Sequence, residues 1–384
     1  MKLVAFMFRF LSPRQRTLVS LQRQLCTRRN FQSTLVSAED EWSPLRAVIV
    51  GRAEGSAFPS EPDRMITKTM PSQHRANFKP FNPFPPAILA GAQDELDRFA
   101  DLLTAMSIRV YRPDQIDWLK VGGYTGAMPR DGLMTVGNTI IEAPFAWRCR
   151  RHEIQLAYSG VLNELSKYGG AVTICRAPAI LGRDTLYDSE EATTAGNSIE
   201  RHRAINNSRP AFDAADFMRF GKTIVGQMSH VTNRKGVELL QALVPDGYTV
   251  EIVNTMDTSA MHIDCTILPL RKGLMIHHPS RISEEELRRH KVFRDWELRA
   301  YPFSPRASEN SDPPMYMCSS WLMLNALSLD EKRIVVEASQ TQFASWLEKE
   351  LGMEPIMLPF KHVNSIGGSF HCATVDLVRD TPAV

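Results

Sequence analysis

Four short segments of the chain gather groups that could do chemistry: 127–131 (Ala-Met-Pro-Arg-Asp), 212–217 (Phe-Asp-Ala-Ala-Asp-Phe), 261–264 (Met-His-Ile-Asp) and 367–372 (Gly-Gly-Ser-Phe-His-Cys). Together they supply carboxylates at Asp131, Asp213, Asp216 and Asp264, an imidazole at His262 and a thiol at Cys372. A thiol becomes a nucleophile once deprotonated, and an imidazole can pass the proton. Carboxylates hold a planar guanidinium by paired, charge-assisted hydrogen bonds. Several acids around one thiol therefore suit a cationic substrate. The same acids oppose thiolate formation unless a protonated histidine or the bound cation offsets them.

These segments need a scaffold that brings their ends together. Hydrophobic periodicity predicts strands over 133–136 and 139–142 about the Gly137-Asn138 turn, a helix over 152–167 and a strand over 171–175. The theme returns as strand 223–226, helix 235–243 and strand 249–253. It recurs as strands 266–270 and 274–277 with a helix from Glu284, and again as strands 326–329 and 333–337, helix 341–351 and strand 355–358. A fifth copy is split between the termini. Strand 374–378 has no helix after it, whereas strand 46–50, helix 88–106 and strand 108–111 stand near the other end. Joined, they complete the same unit, which predicts one closed α/β ring of ββαβ repeats over 39–384. Equivalent strand ends of such a ring converge on its axis.

The composition, 43% hydrophobic and 23% charged, excludes a disordered chain. No run of about 18 apolar residues suggests a membrane span. A net charge of +2 gives no bulk attraction to nucleic acid. No glycine-rich nucleotide cradle follows a strand, and the six cysteines form no CxxC pair or zinc spacing, so no cofactor or metal is expected. The charge is unevenly placed. Residues 1–38 hold Lys2, Arg9, Arg14, Arg16, Arg23, Arg28 and Arg29 and no acid, leaving 38 basic against 43 acidic groups in the rest. A cationic, acid-free, Ser/Thr-rich start predicts a mitochondrial transit peptide over 1–38, with Arg29, Phe31 and Thr34 leading to a cut near Ala38. The destination expected is the matrix, or the inner membrane on its intermembrane-space side.

Strings along the chain resemble the amidinotransferase branch of the guanidino-group-modifying superfamily. They include Glu41-Trp42-Ser43-Pro44-Leu45, Arg112-Pro113-Asp114, Val136-Gly137-Asn138, Trp147-Arg148, Val231-Thr232-Asn233, Leu329-Asp330-Glu331-Lys332-Arg333 and the four segments above. The resemblance runs from about Glu41 to Asp376 and implies a five-bladed α/β propeller. It also implies a ping-pong transfer of the amidino group of arginine to an amine, foremost glycine, giving guanidinoacetate and ornithine. Alternatives are a different amine acceptor and an arginine deiminase-like hydrolase. A homodimer and inner-membrane association are further expectations.

The resemblance assigns roles residue by residue. Cys372 is the nucleophile, His262 the acid and base, and Asp213 its orienting carboxylate. Asp131 and Asp264 clamp the guanidinium, Arg281 and Ser319 hold the substrate carboxylate, and Met261 borders the substrate. The chain departs from the pattern of glycine-using members at Thr125, Ser259, Cys318 and Ala373. The arginine half of the site matches the family, and the departures lie on the acceptor half.

Overall fold

The computed structural model describes residues 35–61, 63–167, 172–188, 203–259, 261–304, 311–318 and 322–380. They form five three-stranded mixed sheets of one pattern. In four of them an antiparallel pair is followed by a crossover helix and a third, parallel strand. β3 (Leu133–Val136), β4 (Thr139–Glu142) and β5 (Thr173–Cys175) make one. β6 (Phe217–Phe220), β7 (Thr223–Gly226) and β8 (Thr249–Ile252) make the next. β9 (Ile267–Arg271), β10 (Leu274–His277) and β11 (Glu297–Ala300) follow, then β12 (Leu327–Ser328), β13 (Arg333–Glu337) and β14 (Glu354–Leu358).

The fifth sheet is assembled from both ends of the chain, as the split repeat requires. β1 (Leu45–Val50) pairs antiparallel with β15 (Thr374–Arg379) and parallel with β2 (Arg109–Tyr111). Its crossover helix α1 (Pro86–Ala105) starts with proline at its first position and buries Ile88, Ala92, Leu96, Phe99 and Leu103. Each large apolar side chain removed from water contributes about 1.5–3 kcal/mol. Gly137 turns the β3–β4 hairpin at φ 56°, a conformation that favours glycine.

Two strands escape the periodicity. β6 follows directly on the acid-bearing 212–216 stretch, and half-exposed β11 alternates Glu297 and Arg299 with Leu298 and Ala300. The helix expected over 152–167 begins as a π-helical turn, Ile154–Tyr158, before Ser159–Ser166. The expected transit peptide falls on residues outside the described ones, except for its last four. Those four pack against β15 and the Gly137 turn. Leu35, Val36 and Ala38 are buried, Ser37 N–H donates to Leu377 O at 2.7 Å, and Ala38 exchanges backbone hydrogen bonds with Gly137. No helix among the described residues is long and apolar enough to cross a membrane.

A buried ion network ties the sheets together. Arg219 of β6 donates from Nε and Nη2 to the two oxygens of Glu41 at 2.7 and 2.8 Å and also pairs with Asp376 of β15. Arg130 and Arg379 donate to the same Asp376 at 2.9 and 2.8 Å, and Arg379 also donates to Ser43 O and Ser328 O. Burial alone would raise the Asp376 pKa, but Arg130, Arg379 and Arg219 hold it well below the usual carboxylate range. Residues from both chain ends and from the strands between them thus meet on one carboxylate.

Candidate active site

The four chemistry-bearing segments do meet. One ligand atom each from Asp131, His262 and Cys372 lies within 4.8 Å of the other two, and all three residues are buried. Asp131 stands in a short helix, Pro129–Gly132, immediately before β3. Asp213 precedes the 3-10 turn Ala214–Asp216 that leads into β6. His262 precedes the turn Ile263–Cys265 before β9, and Cys372 lies just before β15. Every member is therefore held at the entrance to a sheet's first antiparallel strand, fixed by rigid ladders behind it.

His262 is the electrostatic centre. Its Nε2 bonds Asp213 Oδ2 at 3.1 Å, and its Nδ1 is 3.7 Å from Asp131 Oδ1. Its backbone sits at φ 63°, ψ 126°, a strained conformation for a side-chain-bearing residue that costs about 1–3 kcal/mol. Burial favours the neutral ring, but Asp131 and Asp213 outweigh it and push the pKa up to about 10. Burial raises Asp213 to about 6 against the pull of His262 and Arg150. At neutral pH the pair stands as imidazolium and carboxylate.

Cys372 is gripped from three sides. Asn325 Nδ2–H donates to its sulfur at 3.0 Å, the sulfur lies 3.2 Å from Asp264 Oδ2, and Asn325 Oδ1 accepts the Cys372 and Ser369 N–H groups at 3.0 and 3.1 Å. Burial and the charges of Asp264 and Asp131 raise the thiol well above its ordinary pKa. Asp264 also accepts from His371 Nδ1 at 2.8 Å. Burial opposes its ionisation, yet the His371 bond keeps its pKa low. The glycine pair shortly before Cys372 is required sterically. A Cβ on Gly368 would collide with Met128 and Cys372, and one on Gly367, at φ 121°, with the Tyr124 hydroxyl.

Arg150 was absent from the residues singled out in the sequence. It bonds Glu153 bidentately at 2.8 and 2.7 Å and Asp131 Oδ2 at 2.7 Å, and lies 3.8 Å from Asp213. It neutralises one oxygen of each carboxylate and leaves Asp131 Oδ1 and Asp213 Oδ1 buried without hydrogen-bond partners. Two such oxygens beside an imidazolium are acceptors in wait for N–H donors. Burial lifts Glu153 to about 7 despite Arg150. Asn325 was also missed. Neither has a spacing signal, because an Arg or Asn becomes visible only when its partner is known.

A cavity of about 230 Å³ reaches this cluster, lined by His262, Cys372, Met261, Arg281, Cys265 and Cys318 among others. Met261 and Arg281 thus line the same cavity as His262 and Cys372. Ser319 lies outside the described residues. The Asp216 carboxylate is buried and satisfied by its own neighbours. Gln227, Ser229 and Thr232 donate to its carboxylate at 2.9, 2.6 and 2.5 Å, which makes it a structural acid of β6.

A buried thiol beside an imidazolium–carboxylate pair, with further carboxylate oxygens unpaired, is an arrangement able to attack a planar cationic carbon through sulfur. Comparison with known proteins agrees. The chain is 36% identical over 363 residues, 91% of its length and 96% of the relative's, to an L-arginine:L-lysine amidinotransferase of Pseudomonas savastanoi pv. phaseolicola. It is 34% identical over 367 residues to the mitochondrial glycine amidinotransferase of Danio rerio, covering 90% of this chain and 83% of that one. The solved inosamine-phosphate amidinotransferase of Streptomyces griseus superposes with a TM-score of 0.78 at 32% identity, covering 91% of this chain and 98% of that one. No family model matches. The chain belongs to the amidinotransferase family, and arginine is a substrate of that family.

Proposed function

We propose that the chain moves the amidino group of L-arginine to the amine of an amino acid through a covalent intermediate on Cys372. The convergence of Asp131, His262 and Cys372 within 4.8 Å carries this reading. The guanidinium enters between Asp131, Asp213 and Asp264, and its positive charge offsets the acids that hold the thiol protonated. As the cation binds, Cys372 gives its proton to solvent and attacks the guanidinium carbon. The C–N bond to the departing amine then breaks as His262 delivers a proton to that nitrogen, and ornithine leaves. The acceptor amine, deprotonated by the now neutral His262, attacks the amidino-thioether and expels the thiolate, which takes a proton back from solvent. Arg281 holds the substrate carboxylate, with Ser319 beside it, and Asp213 keeps the imidazole oriented.

The acceptor expected from the sequence is glycine; the bacterial relative's name specifies lysine. We take the acceptor to be an amino acid, which both share. The five sheets, closed by β1 with β15, are read as the blades of a five-bladed propeller. The basic, acid-free start is read as a mitochondrial import signal, supported by its seven cations.

The experiment is incubation with labelled arginine alone, then with a panel of amines. Arginine alone should add an amidino mass to the peptide containing Cys372, and ornithine should appear. Cys372→Ala should lose both. Citrulline as the main product, or ornithine formation by the alanine variant, would overturn the reading.

A further inference from the structure

Arg281 does not stand alone in the cavity. Its Nε lies 3.3 Å from Asp257 Oδ2, and both side chains line the space that Cys372 and His262 share. The pairing is loose. Arg281 Nε is buried yet has no hydrogen bond of proper geometry, while its Nη1 donates to Cys265 O at 3.0 Å. Arg281 is buried, whereas the Asp257 side chain is 18% exposed. Asp257 is itself held in place: its Oδ1 accepts the Ser259 N–H at 2.8 Å, and Met256 N–H donates to Arg281 O at 2.7 Å. A fixed cation and a fixed anion are thus set side by side in the cavity wall.

An α-amino acid carries a carboxylate and an ammonium on one carbon. We propose that Asp257 and Arg281 together form a clamp for that head, Arg281 taking the carboxylate and Asp257 the α-ammonium. The inference rests on the assignment of Arg281 above and adds Asp257 as a specificity-determining residue. Such a clamp recognises the head of the arginine that enters and of the ornithine that leaves.

Two truncated analogues separate the halves of the clamp. Agmatine keeps the amine of arginine and lacks the carboxylate; 5-guanidinopentanoate keeps the carboxylate and lacks the amine. Each should inhibit arginine–ornithine exchange by the wild-type chain more weakly than arginine competes, because each loses one charged contact. Asp257→Asn keeps the Oδ1 acceptor for Ser259 and removes the charge. It should raise the KM for arginine and the inhibition constant of agmatine about tenfold or more, and leave that of 5-guanidinopentanoate within about twofold. Arg281→Gln should do the reverse, weakening arginine and 5-guanidinopentanoate and sparing agmatine. Equal weakening of both analogues by Asp257→Asn would make Asp257 a mere support for Arg281 and overturn the proposal. Tighter binding of arginine by Asp257→Asn would make it a competitor and overturn it as well. If Arg281→Gln fails to separate the analogues, the carboxylate assignment fails instead. With the wild-type chain alone, weaker inhibition by both analogues supports the clamp, and an analogue that matches arginine would refute it.

Discussion

Asn325 offers the sharpest separation of folding from chemistry. Its Oδ1 is the partner of two buried N–H groups, those of Ser369 and Cys372, and its Nδ2 reaches the Cys372 sulfur. Asn325→Ala leaves both N–H groups unpaired, and a buried donor without a partner costs about 1–3 kcal/mol. The expected destabilisation is about 2–5 kcal/mol, read from urea unfolding or a fall in melting temperature. Asn325→Asp has nearly the same shape and keeps an oxygen for both donors, so most of that loss should be recovered. It replaces an N–H donor to sulfur by a further carboxylate beside a thiol that Asp264 and Asp131 already hold protonated. A thiol raised by one more pKa unit loses about tenfold in thiolate at fixed pH. Arginine–ornithine exchange should therefore fall about tenfold or more at neutral pH and recover in part as the pH is raised. Exchange at the wild-type rate by the Asn325→Asp variant, or an alanine variant as stable as wild type, would refute the account.

The pH dependence of the arginine half-reaction follows from the His262–Asp213 pair. Asp213 acts ionised with a pKa raised to about 6, so kcat/KM should be lost as pH falls through that value. His262 acts protonated with a pKa raised to about 10, so activity should be lost as pH rises through that one; a profile flat from about pH 5 to 7 would contradict the assignment. Replacing Cys318 by Ser together with Ser259 by Asn should shift acceptor preference toward glycine by a factor equivalent to about 1–3 kcal/mol, while exchange with labelled arginine stays nearly unchanged. A chain begun at Glu39 instead of Leu35 loses the burial of Leu35 and Val36 and the bonds of Ser37 and Ala38, and should unfold about 3 kcal/mol more easily; equal stability would show that these contacts contribute nothing to the fold.

What the sequence could reveal depends on whether the partner of each signal is local. The hairpin about Gly137 and helix Thr341–Leu351 carry their own punctuation, and both occur where the periodicity puts them. The split repeat was legible because a sheet lacking a strand at each terminus has one economical remedy, and β1 pairs β15. β11 was not, because a half-exposed edge alternating charge with apolar residues has no amphipathic surplus to detect. In the site the same division holds. Cys372, His262, Asp131, Asp213 and Asp264 sit in recognisable strings, whereas Arg150, Asn325 and Asp257 take their meaning from groups far along the chain. Arg150 touches Asp131, Asn325 touches Cys372, and Asp257 touches Arg281. Those three long-range contacts set the surroundings of the site: one fixes which carboxylate oxygens stay unpaired, one brings an amide N–H to the sulfur, and one places an anion beside the cation of the cavity wall. The strings therefore carry the reactive groups, and the unmarked partners set the charge and hydrogen bonding around them.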